Sequence, residues 1–365
     1  MAAVGKVAAT SRVGRSRSFG AAVAERQVRL DGAIRVATTD YHTGGEPFRI
    51  VSGGVMPLPG ATILDKRRYA AEYLDDIRRL LVYEPRGHAD MYGCFVTEPV
   101  DDAGDIGVVF FHNAGYSTAC GHGTIALVTW ALESGVLPIT GAQTRVVVDA
   151  PSGRLTTVAR TEGSRVRSVR FTNVPSFVVA EAVQVATSAG DVTLDISYGG
   201  AFYASVHAPD LGLSVQSSDL AALITLGREI KSAIEKEHDI VHPAEPELRD
   251  VYGVIFFEAS EPGGGTLGQR NVTIFADGEV DRSPCGSGTS ARLALLDKSG
   301  ELRRGDTLEH TGIVDSVFRA RVAGETEVEG IPAVITEVEG SAFISGYHQF
   351  VLDPNDPLRT GFLLR

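Results

Sequence analysis

Two stretches of this chain, 165 residues apart, share the pattern C-G-x-G-T-x-A. The first runs Ser117-Thr118-Ala119-Cys120-Gly121-His122-Gly123-Thr124-Ile125-Ala126, and the second Arg282-Ser283-Pro284-Cys285-Gly286-Ser287-Gly288-Thr289-Ser290-Ala291. A duplicated thiol fits chemistry that needs two equivalent groups, one on each face of a substrate. Inversion at a carbon is such chemistry: one thiolate removes a proton from one face and the opposite thiol delivers one to the other. Glycine after each cysteine lets backbone N–H groups approach a ligand. A helix start there would supply unpaired N–H donors and partial positive charge, which favour a thiolate and can hold a carboxylate. With two such starts facing each other, a small amino acid could lie between them with its Cα between the sulfurs. Fixed N–H dipoles would stabilise the enolate-like charge as it forms. No cofactor is required, and no Walker A, G-x-G-x-x-G or Schiff-base lysine signature is present. A single Cys-Gly at a helix start is more often a small buried residue than a catalyst; the matched pair makes Cys120 and Cys285 the candidate bases.

Both cysteines precede apolar runs of helical length. Gly123–Gly135 is apolar on most faces and stops at a glycine, and Ser287–Lys298 does the same before Gly300. Asp65–Leu81 reads as an amphipathic surface helix, and Leu220–Glu237 as another helix. Strand signals fall at Ile34–Thr38, Phe48–Gly53, Gly104–His112, Thr144–Ala150, Val166–Thr172, Ser176–Val183, Val192–Ser197 and Phe202–Val206. They return at Val251–Phe257, Asn271–Ala276, Ser316–Val322, Ile331–Glu337 and Ala342–Leu352. The order predicts an α+β fold in which each half repeats strands, helix, strands, helix. The expected division is lobe 1 over residues 32–190, with 345–365 crossing back to it, and lobe 2 over 191–344.

At 365 residues the chain can fill two cores. A net charge of −12 leaves no basic field for nucleic acid, and no apolar run is long enough to span a bilayer. Three cysteines, Cys94, Cys120 and Cys285, make no disulfide framework and suit a reducing cytoplasm. The first 24 residues hold Lys6, Arg12, Arg15 and Arg17 and no acid. That resembles a transit peptide, but residues 1–31 are taken as a disordered extension.

Several ordered motifs resemble the proline racemase family, which includes proline racemases, 4-hydroxyproline 2-epimerases and trans-3-hydroxyproline dehydratases. They are Asp40-Tyr41-His42-Thr43-Gly44-Gly45-Glu46-Pro47, Glu84-Pro85-Arg86-Gly87-His88-Ala89-Asp90-Met91-Tyr92-Gly93, both cysteine motifs, and Asp353-Pro354-Asn355-Asp356-Pro357. The resemblance implies the fold of diaminopimelate epimerase: two pseudo-symmetric lobes, each a β-rich sheet around a central helix, with the site in the cleft. It implies Cys120 and Cys285 as the bases and a carboxylate held by backbone N–H groups of Gly121, His122, Gly286 and Ser287. It further implies that His122 and Asp281 hold the ring nitrogen, that no metal or cofactor takes part, and that the enzyme is a homodimer. Read from the residues alone, His122 is also an ordinary buried histidine and Asp281 a turn aspartate. Asp40, His42 and Glu46 fit no tight metal-ligand spacing.

Threonine commonly stands at the second cysteine position in the dehydratase branch, so Cys285 favours epimerisation of hydroxyproline or proline. Tyr198-Gly199-Gly200-Ala201-Phe202-Tyr203-Ala204 and Tyr252-Gly253 instead resemble the dehydratases, which keeps dehydration of trans-3-hydroxy-L-proline as the alternative. Tyr92 could donate to a substrate hydroxyl, and reads equally as a core tyrosine.

Overall fold

The computed structural model describes residues 31–364; the expected N-terminal extension lies outside them apart from Asp31. The first half contains β1 (Ile34–Thr43), β2 (Glu46–Gly53), α1 (Ile63–Tyr73), α2 (Asp75–Val82), β3 (Tyr92–Thr97), β4 (Ile106–His112), α3 (Gly121–Glu133), β5 (Gln143–Ala150), β6 (Gly153–Glu162) and β7 (Arg165–Thr172). The second half continues with β8 (Ser176–Thr187), β9 (Gly190–Tyr198), β10 (Phe202–His207), α4 (Leu220–Glu237), β11 (Val251–Ala259), β12 (Leu267–Phe275), β13 (Glu279–Asp281) and α5 (Gly286–Ser299). It ends with β14 (Leu308–Gly312), β15 (Val317–Val328), β16 (Ile331–Gly340) and β17 (Ala342–Leu352).

The duplication seen around the cysteines extends to the strand pairing. In the first half β1–β2 is antiparallel, β2–β3 parallel, β3–β4 antiparallel, β4–β5 parallel, and β5–β6 and β6–β7 antiparallel. In the second half β9–β10, β10–β11, β11–β12, β12–β14, β14–β15 and β15–β16 follow the same succession. Parallel neighbours need a crossover, and the helices supply it: α1 and α2 then α3 in one half, α4 then α5 in the other. The result is α+β, with each sheet wrapped around one central helix. Both α3 and α5 are buried almost all round, the mark of a helix with no solvent face. The sheets join where β16 pairs with β7.

The C-terminal strand β17 pairs along the whole of β1. Strand β8, on the N-terminal side of a boundary at 190, pairs with β9 and β16 and packs on α5. The helix expected over Asp65–Leu81 is two helices. Leu74 leaves helical geometry between them, at φ −119° and ψ 10°, and Asp75 and Asp76 restart the second with acids in its first turn. Strands β6, β13 and β14 carried no clear sequence signal. β14 holds the buried polar residues Glu309 and His310, so it lacks the apolar run that marks a buried strand.

Candidate active site

The two cysteines occupy the N-cap positions of α3 and α5, and Cys120 alone caps through its sulfur. Gly123 N–H donates to Cys120 Sγ at 3.2 Å, so the sulfur caps the helix as a serine oxygen would. A Cβ on Gly123 would stand 2.7 Å from that sulfur, and one on Gly288 would stand 2.9 Å from Cys285 Sγ. The second glycine of each motif is therefore the space into which the sulfur folds. The first glycine has a different task. A Cβ on Gly121 would stand 2.5 Å from Gly286 Cα, and one on Gly286 2.7 Å from Gly121 Cα. The two helix starts touch backbone to backbone, and both cysteines are 5% exposed.

The motifs match, but the surroundings do not. Cys120 has an extended backbone, whereas Cys285 sits at φ 60°, a left-handed conformation costly for a residue with a Cβ. Ser283 Oγ accepts from Cys285 N–H at 3.1 Å and itself donates to Asp281 Oδ1 at 2.7 Å. Around Cys120 a buried relay forms: Cys120 Sγ lies 3.3 Å from His122 Nε2, and His122 Nδ1 lies 3.5 Å from Asp281 Oδ2. Cys285 has Ser287 where Cys120 has His122; its sulfur meets the Tyr203 hydroxyl at 3.8 Å.

Burial pushes both thiols up, and around Cys120 the imidazole of His122 and the Gly123 N–H pull against it. At Cys285 the Asp281 carboxylate adds to the rise. Burial by itself would lower His122, but the Cys120 sulfur and Asp281 outweigh it and lift its pKa well above the ordinary imidazole value. Asp281 is held low although buried, through His122 and the two donors of Ser283. Cys120, His122 and Asp281 thus share protons as one unit.

A layer of hydroxyls covers the relay. The Tyr92 ring stands edge-on to His122, centroids 5.1 Å apart. Its hydroxyl bonds Ser117 Oγ and lies 3.1 Å from that of Tyr252. Tyr203 bonds Ser287 Oγ at 2.7 Å. Beyond this layer a cavity of about 400 Å³, lined by Arg67, His112, Ser117, Thr118 and Tyr252 among others, opens outward. Neither cysteine lines it; the sulfurs lie behind the tyrosines.

The structure therefore brings Cys120, Gly121, His122, Tyr92, Asp281, Cys285, Gly286 and Ser287 into one region. It does not bring Asp40, His42 and Glu46 together. Asp40 pairs with Arg49 at 2.8 Å, His42 stacks on Phe343, and Glu46 pairs with Arg282 at 2.6 Å. Arg86 ties down the C-terminal tail through Asp356 and the Arg359 carbonyl, and Cys94 is core.

Sequence reasoning missed the roles of Ser117, Tyr203, Tyr252 and the Glu46–Arg282 pair. Glu46 is fully buried, which pushes its carboxyl up to about 7 against the pull of Arg282. It accepts from both the guanidinium and the backbone N–H of Arg282, so it clamps the loop that carries Asp281. The partners are 236 residues apart, and no local pattern announces such a pair.

Comparison with known proteins shows the family. A family model described as proline racemase matches residues 38–363. A trans-3-hydroxy-L-proline dehydratase of Bacillus thuringiensis subsp. konkukian is 47% identical over 327 residues, 90% of this chain and 97% of that protein. A 3-hydroxyproline 2-epimerase of Burkholderia multivorans is 49% identical over 331 residues, 90% of this chain and 98% of its own length. Among solved structures, a hydroxyproline epimerase from Agrobacterium vitis with bound trans-4-hydroxy-L-proline superposes with a TM-score of 0.85 at 32% identity, covering 92% of this chain and 97% of that one.

Proposed function

We propose, from the premise that the chain belongs to the proline racemase family, that it inverts the Cα of a hydroxyproline by a two-thiol, cofactor-independent reaction. The family is enzymatic, so the chain is an enzyme; what is proposed is its substrate and the residues that act. The backbone contact between Gly121 and Gly286 is the observation that carries this reading. It brings together two helix starts, each with a cysteine at its N-cap position.

In this reading the carboxylate lies across the two helix starts, taking N–H bonds from Gly121, His122, Gly286 and Ser287. His122 and Asp281 hold the ring nitrogen. One thiolate of the Cys120/Cys285 pair takes the Cα proton, and the opposite thiol returns one from the other face. Charge on the carboxylate grows in the transition state, where each fixed N–H donor contributes about 3–4 kcal/mol. The hydroxyls of Tyr92, Ser117 and Tyr252 favour a ring that bears its own hydroxyl. The site's wholly buried position and the free thiols suit a reducing cytoplasm, and light scattering would test the expected homodimer.

A second reading is dehydration of trans-3-hydroxy-L-proline. The names of the relatives favour it, although one relative of the same similarity is a 3-hydroxyproline 2-epimerase. Here a thiolate takes the Cα proton, the C3 hydroxyl leaves as water, and the enamine tautomerises to a cyclic imine. NMR in D₂O with L-proline, trans-4-hydroxy-L-proline and trans-3-hydroxy-L-proline separates the two. Epimerisation gives the inverted ring with deuterium at Cα; dehydration gives the imine from the 3-hydroxy compound alone. If no ring exchanges its Cα proton or loses water, both readings fall.

A further inference from the structure

The sequence duplication pairs each residue near Cys120 with one 165 positions on, near Cys285. Behind Cys120, β4 turns Ile106, Val108 and Phe110 towards α3, and all three belong to the main apolar core. The residues at the same offsets behind Cys285 are Asn271, Thr273 and Phe275 on β12. They face α5: Gln269, two positions before Asn271, reaches Arg292 of α5 at 3.4 Å, and the alternate residue Ile274 faces α4 at Gly227. The helix follows suit, with Leu127 of α3 matched by Arg292 of α5. By strand register, Val146 on β5 is matched by His310 on β14. Four apolar positions in one lobe are thus polar in the other.

These polar groups are incompletely satisfied. Thr273, Asn271 and His310 are each fully buried. Among the described residues, Thr273 Oγ1, Asn271 Oδ1 and His310 Nε2 meet no partner in hydrogen-bonding geometry. Thr289 Oγ1 lies 3.1 Å from the Pro284 carbonyl oxygen and 2.7 Å from His310 Nδ1, with one proton to give. In either tautomer of the neutral ring, Nε2 is left unpaired. Burial beside Arg292 pushes His310 down to about 3, so the ring stays neutral. Leaving a buried acceptor unpaired costs about 1–3 kcal/mol, and a polar interior of this kind is where ordered water sits. The near end of the file reaches the reacting group, because Thr273 stands directly across the β11–β12 ladder from Ile255, which packs with Cys285 in one cluster, and its hydroxyl favours the Cys285 thiolate.

We infer that Thr273, Asn271 and His310 line a hydrated file behind Cys285 that exchanges its thiol proton with interior water, while Cys120 uses His122 instead. The thiol gives its proton to the first water, which passes one on, and a solvent proton returns by the same path when the thiol is recharged. Asn271 and His310 are positioning residues: they hold the water and do not touch substrate. The duplicated motif then serves two thiols that recharge by different routes.

This inference rests on the two-thiol reading, and the test separates them. Each configuration of the substrate is incubated in D₂O, and deuterium at Cα of the unreacted compound is compared with inversion. In the wild type, the configuration deprotonated by Cys285 regains deuterium. In Asn271→Leu, which copies the apolar character of Ile106, that wash-in falls at least about fivefold while the other configuration stays within about twofold; Asn271→Ser, which keeps a polar anchor, restores part of it. Equal changes in both configurations, or none, would overturn the file. Inversion without wash-in in either configuration overturns the file alone; if the wild type neither inverts nor exchanges either configuration, the two-thiol reading itself fails. The file is then decided by crystallography: water bridging Asn271 Oδ1 and His310 Nε2 supports it, and a dry interior overturns it.

Discussion

Gly121 and Gly286 touch, each lying where the other's side chain would have to be. Phe171 closes the same spot, 3.0 Å from a Cβ on either glycine. This contact converts a sequence repeat into one site, because each glycine follows the cysteine at its helix's N-cap position. The wider repeat, in which both halves pair their strands in the same succession, supplies the frame that makes the two helix starts equivalent.

Gly121→Ala and Gly286→Ala should each force the helix starts apart. Steric overlap in a packed core costs about 1–3 kcal/mol or more, so the melting temperature should drop. On the two-thiol reading, activity should fall by far more than the stability loss explains, since that reading needs both sulfurs to flank one carbon. A Gly121→Ala enzyme with near-normal turnover would refute the close-contact account.

Cys120→Ser and Cys285→Ser should each reduce Cα exchange by about 10²-fold or more, since positioned proton transfer contributes on that order. Full inversion by either variant removes that cysteine from the reaction.

His122→Asn should move the pH profile. Cys120 acts as a base only when ionised; burial raises its pKa and His122 opposes that rise. Without the imidazole, less thiolate exists at any given pH. The alkaline rise of kcat/KM, measured in the direction that Cys120 deprotonates, should therefore shift to higher pH. An unmoved profile would show that His122 does not tune the thiol.

Glu46→Ala should lower stability by about 2–4 kcal/mol, because removing one partner of a buried pair leaves the other's charge uncompensated. The Arg282 side chain is 25% exposed, which keeps the loss below that of a fully buried pair. Glu46→Gln retains an acceptor for Arg282 and should cost less. Denaturant unfolding of the two variants checks the order.

His310 should make the protein acid-sensitive. It is neutral when folded and its pKa lies at about 3, below the ordinary value near 6.5. The unfolded chain takes up a proton below that ordinary value and the folded chain does not. This contribution is fully present above about pH 6.5 and is lost as the pH falls towards 3, at about 1.4 kcal/mol per unit. His310→Gln should flatten the fall in melting temperature between pH 6 and 4; an unchanged slope would show that His310 is not its source.

The sequence alone determined the duplication, the two cysteines and the helices behind them, because these depend on local spacing and apolar periodicity. The tertiary structure decided what meets what. That Gly121 abuts Gly286, that Glu46 clamps Arg282, and that Tyr92 joins Ser117 and Tyr252 over His122 depend on strands far apart in the chain closing on one another. Long-range packing leaves no periodic trace in the residues it unites. A buried strand with polar residues, such as β14 with His310, stays hidden for the same reason, since its place is set by register with β12 and not by its own composition.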